Sequence, residues 1–597
     1  MQIGHFSTLS LLGLFLPLTS HAYPNCPLLG PDFPAPTKLS CSPTIQSAKA
    51  ILTRALTQVI NSSNSSYGPF DATNTSFSLE VFSIHESDPV FEKHFTAPAV
   101  ATYQDGTKNV NSNTTYRVGS LTKLMTVYTF LIEAGDMKFN DPITKYVPEL
   151  RDAAEALNAT QDPIDYVAWE DVTIGELASQ MSGIARDYSG FGELDSPVGE
   201  QGIDPSTLGL PPLNASAVPL CAGGAFCDRQ QFFAGFTKRH PVYAPSTGAI
   251  YSNAAYMILS YALENITGID FPTTVQNSLF TPLNLSSGTS WTLPPADNST
   301  AIIPDGSSFA LNLGDETAAG GMYTTPRDAV TLGRSILSSA LLRPALTRRW
   351  MKPRVFTSAA LSSVGAPWEI QRLQISPNHR LVDLYTKAGD IPGYSSLIAL
   401  IPSWDLGFVI MTAGADPGPT DNIVVLADLI AKIFLPAVET AAREEADAAF
   451  SGTYRSSNPN LNSSITLTTN PRKPGLGITS WISNSTDVLA SKIGAPSARL
   501  YPSGLSRKLP NGDSVTGYRA VFEDTSATPM GGPFTPACET WQTVDQTYWG
   551  SVASDEFLIT VGSDGVAKSV TPRITRAKLE RVDIGARGEE RSVRYRV

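Results

Sequence analysis

The sequence predicts an α+β protein that closes on a separate all-β domain, and three observations carry that expectation. Hydrophobic residues make up 42% of the 597 residues and aromatics 9%, enough for a large buried core and too many for wholesale disorder. Up to about residue 447, segments with helical apolar spacing alternate with segments of period two. Past Phe450 the helical spacing stops, and short alternating segments separated by turn dipeptides take over. The chain is also too long for one ordinary domain. The expected organisation is a leader over 1–22, a mixed domain over 23–447 and a β domain over 448–597.

Residues 1–22 read as a secretory signal. An apolar run through Leu9, Leu11, Leu12, Leu14, Phe15, Leu16 and Leu18 precedes a small-x-small site at Ser20-His21-Ala22. No other apolar run approaches the roughly 20 residues of a membrane span, so no span is expected. The charged C-terminus carries no GPI signal. Eleven Asn-x-Ser/Thr sites, from Asn61 to Asn484, agree with a secreted, extracellular glycoprotein, where disulfides are permitted. Cys221 and Cys227 bracket a short Gly-rich loop and are expected to pair. A Cys26–Cys41 pair near the mature N-terminus would leave Cys538 over.

The elements follow in order. Residues 23–42 are Pro-rich and extended, 43–60 helical, and 76–84 a strand; Ala99–Tyr103 is a second strand expectation. A helix runs from Ser120 to Ala134, where Gly135 stops it. Thr173–Met181 is helical and ends at Ser182-Gly183. Residues 190–225 form a long loop or insertion, and Asn253–Asn265 is helical. Strands Ser395–Ile401 and Leu406–Thr412 flank the turn Pro402-Ser403-Trp404-Asp405, and a long helix spans 422–447. Beyond it come Ile465–Thr468, Ser514–Phe522 and Phe557–Val561. Turns at Asn511-Gly512 and Asp564-Gly565 suit hairpins of a sandwich or barrel.

Composition excludes much chemistry. Net charge is −12, from 43 basic and 55 acidic residues, with no Lys/Arg-rich run, so neither nucleic acid nor an anionic membrane surface is an expected partner. The six histidines make no H-x-H-x-D-H or H-E-x-x-H cluster, and there is no G-x-S-x-G elbow or phosphate loop. No metal and no cofactor are expected. A hydrolase built on this chain needs a nucleophile activated by something other than histidine.

One set of residues supplies that. Ser120-Leu121-Thr122-Lys123 places a hydroxyl and an amine one helical turn apart on one face, and burial would turn the ammonium into a neutral base. Tyr251-Ser252-Asn253 follows 131 residues later and offers a phenol for proton transfer and an amide to hold the lysine and a substrate carbonyl. Lys387-Ala388-Gly389 comes 136 residues after that, where a glycine on a strand lets backbone N–H approach a substrate oxygen and Lys387 adds positive charge.

The set resembles that of serine β-lactamases and penicillin-binding proteins. It is most similar to the branch with class C β-lactamases, D-stereospecific peptidases and related esterases, because the second motif is Tyr-x-Asn. The flanks resemble the family too: Tyr116-Arg117-Val118-Gly119 before Ser120, Val172 to Gly183, Pro245 to Gly268, Ala319 to Thr325, and Gly389 to Ser396. The resemblance covers about residues 45–445 and extends to secreted fungal relatives with an extra C-terminal β domain. It implies an antiparallel sheet flanked by helices plus a helical subdomain, with Ser120 at the interface. It also implies Ser120 as nucleophile, Lys123 and Tyr251 as proton carriers, and Asn253, Lys387, Ala388 and Gly389 as substrate-binding residues. Backbone N–H groups of Ser120 and of Asp390 or Ala388 would form the oxyanion hole. Lys-Ala-Gly stands where the family has Lys-Thr-Gly, so the hydroxyl that meets a substrate carboxylate is missing. The implied activity is a secreted serine hydrolase acting through an acyl-enzyme on an ester, amide or lactone carbonyl of a small-molecule substrate. The alternatives are an acyltransferase on the same fold and a non-catalytic binding or scaffold protein.

Overall fold

The computed structural model describes residues 26–582 except 157–161, 191, 195–202, 220, 222–226, 292–297, 376–377, 379, 491–496 and 524–537. The leader over 1–22, the glycosylation site at Asn158 and His379 lie outside the described residues. The chain divides into two compact units. One comprises Pro36–Gln374 and Leu381–Val438; the other comprises Met1–Ala35, Ile375–Arg380 and Glu439–Val597. No helix among the described residues is long and apolar enough to cross a membrane.

The first unit begins with helix α1 (Pro43–Ser62). Ser42 caps it, its hydroxyl accepting from Ile45 N–H, and Pro43 occupies the first turn where no N–H is needed. The sheet of this unit has eight strands: β1 (Ser76–Ser83), β2 (Phe91–Phe95), β3 (Val355–Phe356), β4 (Ser362–Val364), β5 (Glu369–Ile375), β6 (Arg380–Ile391), β7 (Tyr394–Ile401) and β8 (Leu406–Ala413). Their order is β2-β1-β8-β7-β6-β5-β4-β3. Pairing is antiparallel along β2-β1-β8-β7-β6 and β5-β4-β3. β1 and β8 are buried at every position, as strands covered on both faces must be.

Helices supply that cover. Val409 and Met411 of β8 join the core that includes Phe82, Leu400 and helix α4 (Pro326–Leu337). On the opposite face Thr412 donates to the Pro419 carbonyl of helix α5 (Gly418–Leu429). The helical subdomain holds α2 (Thr122–Glu133) and α3 (Ala254–Thr267), both buried almost all round over their first ten residues.

Three expectations need correction. Residues 99–103 form a 3-10 turn, Pro98–Thr102, rather than a strand. Pro98 fixes the torsion of a first helical turn and has no N–H for a ladder, and β2 takes the place beside β1. The consecutive polar residues Glu92-Lys93-His94 hid that edge strand from a pattern reading. The helix expected over 173–181 is short, Ile174–Ala178, and Gln180 sits at φ +63° beyond it. The proposed Cys26–Cys41 pair is also wrong: Cys26 bonds Cys538 and Cys41 is free and exposed. The Cys221–Cys227 pair is present. The helix expected over 422–447 is α5, a π turn at Ile430–Phe434 and a further helix, Leu435–Phe450.

The second unit is a barrel of eight strands: β9 (Gly452–Ser456), β10 (Ser464–Asn470), β11 (Lys473–Ser483), β12 (Ser497–Lys508), β13 (Ser514–Glu523), β14 (Glu556–Val561), β15 (Ala567–Pro572) and β16 (Leu579–Arg581). Each pairs antiparallel with the next, and β16 returns to β9, so these eight strands close on themselves, while a two-residue strand, Thr486–Asp487, pairs with β11 outside the closure. Inward residues of alternating size, among them Tyr454, Leu476, Trp481, Tyr518 and Phe557, fill it. Within the same unit Arg380 lies between Asp32 at 3.3 Å and Glu439 at 3.2 Å, all three almost fully buried.

Candidate active site

Ser120 owes its position to the turn before α2. Gly119 takes φ +50°, and a Cβ there would meet the Asp390 backbone at 2.7–2.8 Å. On the other side of the contact, a Cβ on Gly389 would lie 2.1 Å from the Val118 carbonyl oxygen and 2.7 Å from Ser120 N. Both glycines are therefore needed for β6 to lie directly against the serine's turn. Buried Arg117 anchors the approach: its strand pairs with Tyr323–Thr324, and its guanidinium donates to the Ser308 and Phe309 carbonyls. Thr122 Oγ1 closes the turn by donating to Gly119 O at 2.7 Å.

Lys123 is fully buried on α2, one turn from Ser120. Its Nζ lies 2.9 Å from Ser120 Oγ, 2.7 Å from Asn253 Oδ1 and 2.8 Å from Ala319 O. The amide and carbonyl oxygens can only accept. A neutral amine satisfies them with its two N–H groups and turns its lone pair to the serine hydroxyl. Burial, aided by the Lys387 charge, lowers the Lys123 pKa against the opposing pull of Tyr251. Asn253 is oriented in turn, its Nδ2 donating to Asp187 Oδ1 at 2.7 Å.

Tyr251 completes the group. Its ring lies 4.9 Å from Lys123 Nζ and 5.6 Å from Lys387 Nζ. Burial pushes the phenol up, but the two lysine charges and the polar groups of Ser120 and Lys123 beside it bring it down to about 8. Lys387 is buried and bound by Glu369 Oε1 at 2.6 Å, and the same carboxylate accepts from Ala388 N–H at 2.8 Å. Burial would lower Lys387, yet Glu369 raises it. Of the two N–H groups expected beside Gly389, that of Ala388 is thus engaged. Asp390 N–H, two residues on along the same strand edge, is the other, and Asp390 lines the cavity with Ser120.

All seven residues expected at the site converge on this region. Sequence reasoning missed Asp187, Glu316 and Glu369. Asp187 and Glu316 are both buried; burial and then Asp187 hold the Glu316 carboxyl well above the usual range. With Arg186, which pairs with Asp187 at 3.2 Å, they line a cavity of about 620 Å³ that also includes Ser120, Asn253 and Asp390. The available signal was proximity to recognised motifs: Asp187 lies four residues past Gly183, and Glu316 three before Ala319.

Comparison with known proteins fits this geometry. A family model described as beta-lactamase matches residues 81–431, and one for a beta-lactamase-like C-terminal domain matches 442–583. A beta-lactamase-like protein of Arthroderma benhamiae is 30% identical over 587 residues, 91% of this chain and 94% of its own. A protein of a Phoma species named as a probable hydrolase is 28% identical over 456 residues, 74% of this chain and 71% of its own. A D-alanyl-D-alanine carboxypeptidase/endopeptidase of Escherichia coli is 24% identical over 307 residues, 50% of this chain and 70% of its own.

Proposed function

This chain belongs to the beta-lactamase family of hydrolases, and we propose that it is a secreted serine acyl hydrolase working through an acyl-enzyme on Ser120. The observation that supports this most is the environment of Lys123 Nζ. Two of its three neighbours are acceptor oxygens, so the neutral amine has one direction left for its lone pair, and Ser120 Oγ lies there at 2.9 Å.

The steps follow from that arrangement. Ser120 Oγ attacks the substrate carbonyl as its proton passes to Lys123 Nζ. The oxyanion accepts from the N–H groups of Ser120 and Asp390, beside the positive charge of Lys387. Tyr251, with a phenol near neutrality, carries the proton to the leaving oxygen or nitrogen. Water then attacks the acyl-enzyme with the same groups acting in reverse.

Glu369 narrows the substrate. It already pairs with Lys387 at 2.6 Å, and Ala388 offers no hydroxyl, so a substrate carboxylate finds no open partner on β6. An uncharged ester or lactone suits the cleft better than a carboxylate-bearing β-lactam. Export is inferred from the leader, from two disulfides, and from the exposure of every described asparagine of the eleven glycosylation sites.

Treatment with a fluorophosphonate ester tests the proposal. Intact-mass measurement is expected to show one adduct on the protein and none on Ser120→Ala. Undiminished labelling of that variant would discard the nucleophile. Faster turnover of carboxylate-bearing lactams than of neutral esters would discard the substrate class alone.

A further inference from the structure

A second polar cluster lies on the sheet edge, among residues unused by the acyl chemistry. Glu92 and His94 are two apart on β2 and so point to one face. The antiparallel register pairs Glu80 with Glu92 and Ser78 with His94, which brings Glu80 of β1 to that same face. One ligand atom from each of Glu80, Glu92 and His94 can be chosen so that all lie within 4.8 Å of one another. His94 Nε2 is 3.8 Å from Glu80 Oε1 and 3.9 Å from Glu92 Oε2.

We propose that Glu80, Glu92 and His94 form a binding site for a divalent transition-metal ion of the zinc type, which clamps edge strand β2 to β1.

Three features support it. Glu80 is 2% exposed, and its Oε1, turned towards the histidine, has no hydrogen-bond partner among the described residues. An unmatched buried carboxylate oxygen of this kind is costly unless something cationic meets it. The nearby guanidinium of Arg334 does not do so, because it donates to the carbonyls of Ser83, Glu86 and Ser87. Second, His94 is held in the orientation a metal needs. Nδ1 lies 2.9 Å from Ser78 Oγ, which is itself 2.9 Å from Tyr116 OH, so Nδ1–H can donate there and leave the Nε2 lone pair for the ion. Third, exposure is graded, from Glu80 at 2% through His94 at 17% to Glu92 at 57%, which gives an entry path and room for a water ligand. Bonds of about 2.0–2.2 Å in a tetrahedral set place ligands roughly 3.4 Å apart. Small side-chain rotations reach that from the observed spacing.

The probe is zinc itself, added to the chelator-treated full-length protein. Calorimetry is expected to show one saturable equivalent that disappears in Glu80→Gln and in His94→Gln, with a zinc-dependent rise in Tm of a few degrees in the parent only. His94 is on an edge strand and half-buried, so His94→Gln remains informative should Glu80→Gln fold poorly. Because the cluster is outside the acyl site, phosphonate labelling of Ser120 is expected to be equal with and without zinc. Absence of saturable uptake overturns the proposal. Equal uptake by parent and variants also overturns it, since zinc then sits at exposed pairs such as His240–Asp165.

Discussion

Two lysines flank one phenol, one on the helix side of the cleft and one on the sheet side, and their pKa values move in opposite directions. Lys123 and Lys387 are both buried and both within 6 Å of the Tyr251 ring. Burial disfavours the charge on each. Lys387 meets the Glu369 carboxylate at 2.6 Å and has its pKa raised. Lys123 meets an amide oxygen, a carbonyl oxygen and a hydroxyl, with a second cation nearby, and has its pKa lowered. The identity of the nearest oxygens therefore decides the direction in which each lysine's pKa moves. Tyr251 is drawn to about 8 because it feels both.

The largest expected effect comes from removing what the base serves. Ser120→Ala is expected to lose turnover by about 10⁶-fold, the scale seen when a serine nucleophile is deleted, with no acyl adduct in intact-mass spectra. Next comes the base. Lys123→Met keeps the stem and removes the lone pair, and is expected to cost about 10³–10⁴-fold in kcat, within reach of general-base contributions. Lys387→Met tests the other side through pH. The Lys387 charge is one of the influences lowering Lys123. Without it Lys123 holds its proton to higher pH, so the acid limb of kcat/KM moves upward.

Tyr251→Phe is expected to cost about 10²-fold and to move the acid limb the other way. Tyr251 opposes the lowering of Lys123, so its loss lets the amine lose its proton at lower pH. Any inflection near 8 belonging to the phenol also disappears. An unshifted pH profile in both variants would break the comparison, since neither lysine would then sense the phenol between them.

How much of this was legible in the sequence depended on how local the signal is. Ser120 and Lys123 are one helical turn apart, so spacing alone put them on one face. α3 and the hairpin of β7 and β8 carry long runs of a single period, and their positions were read within a few residues. The β domain was left open between a sandwich and a barrel, because closure rests on β16 returning to β9, a pairing between segments more than a hundred residues apart. Cys26 bonding Cys538 is non-local in the same way, and a neighbour-first reading chose Cys41 instead. Glu369 is the most instructive omission. It lies in β5 with no motif around it, and its importance comes only from β5 running beside β6.

That residue gives the smallest and sharpest prediction. In Glu369→Gln the amide oxygen can still accept from Ala388 N–H, so the backbone of β6 keeps its partner. The amide nitrogen then faces Lys387, where it cannot accept, and the cation loses the carboxylate that balanced it. A charge-assisted hydrogen bond to a substrate carboxylate is worth about 1.5 kcal/mol or more. The variant is therefore expected to bind carboxylate-bearing esters roughly tenfold more tightly than the parent, read as a lower KM, with neutral esters changed much less. The bond would form only if the released charge faces the cleft. Equal KM ratios for the two ester types in parent and variant would show that Lys387 points elsewhere, and that its pairing with Glu369 serves the sheet and not selectivity.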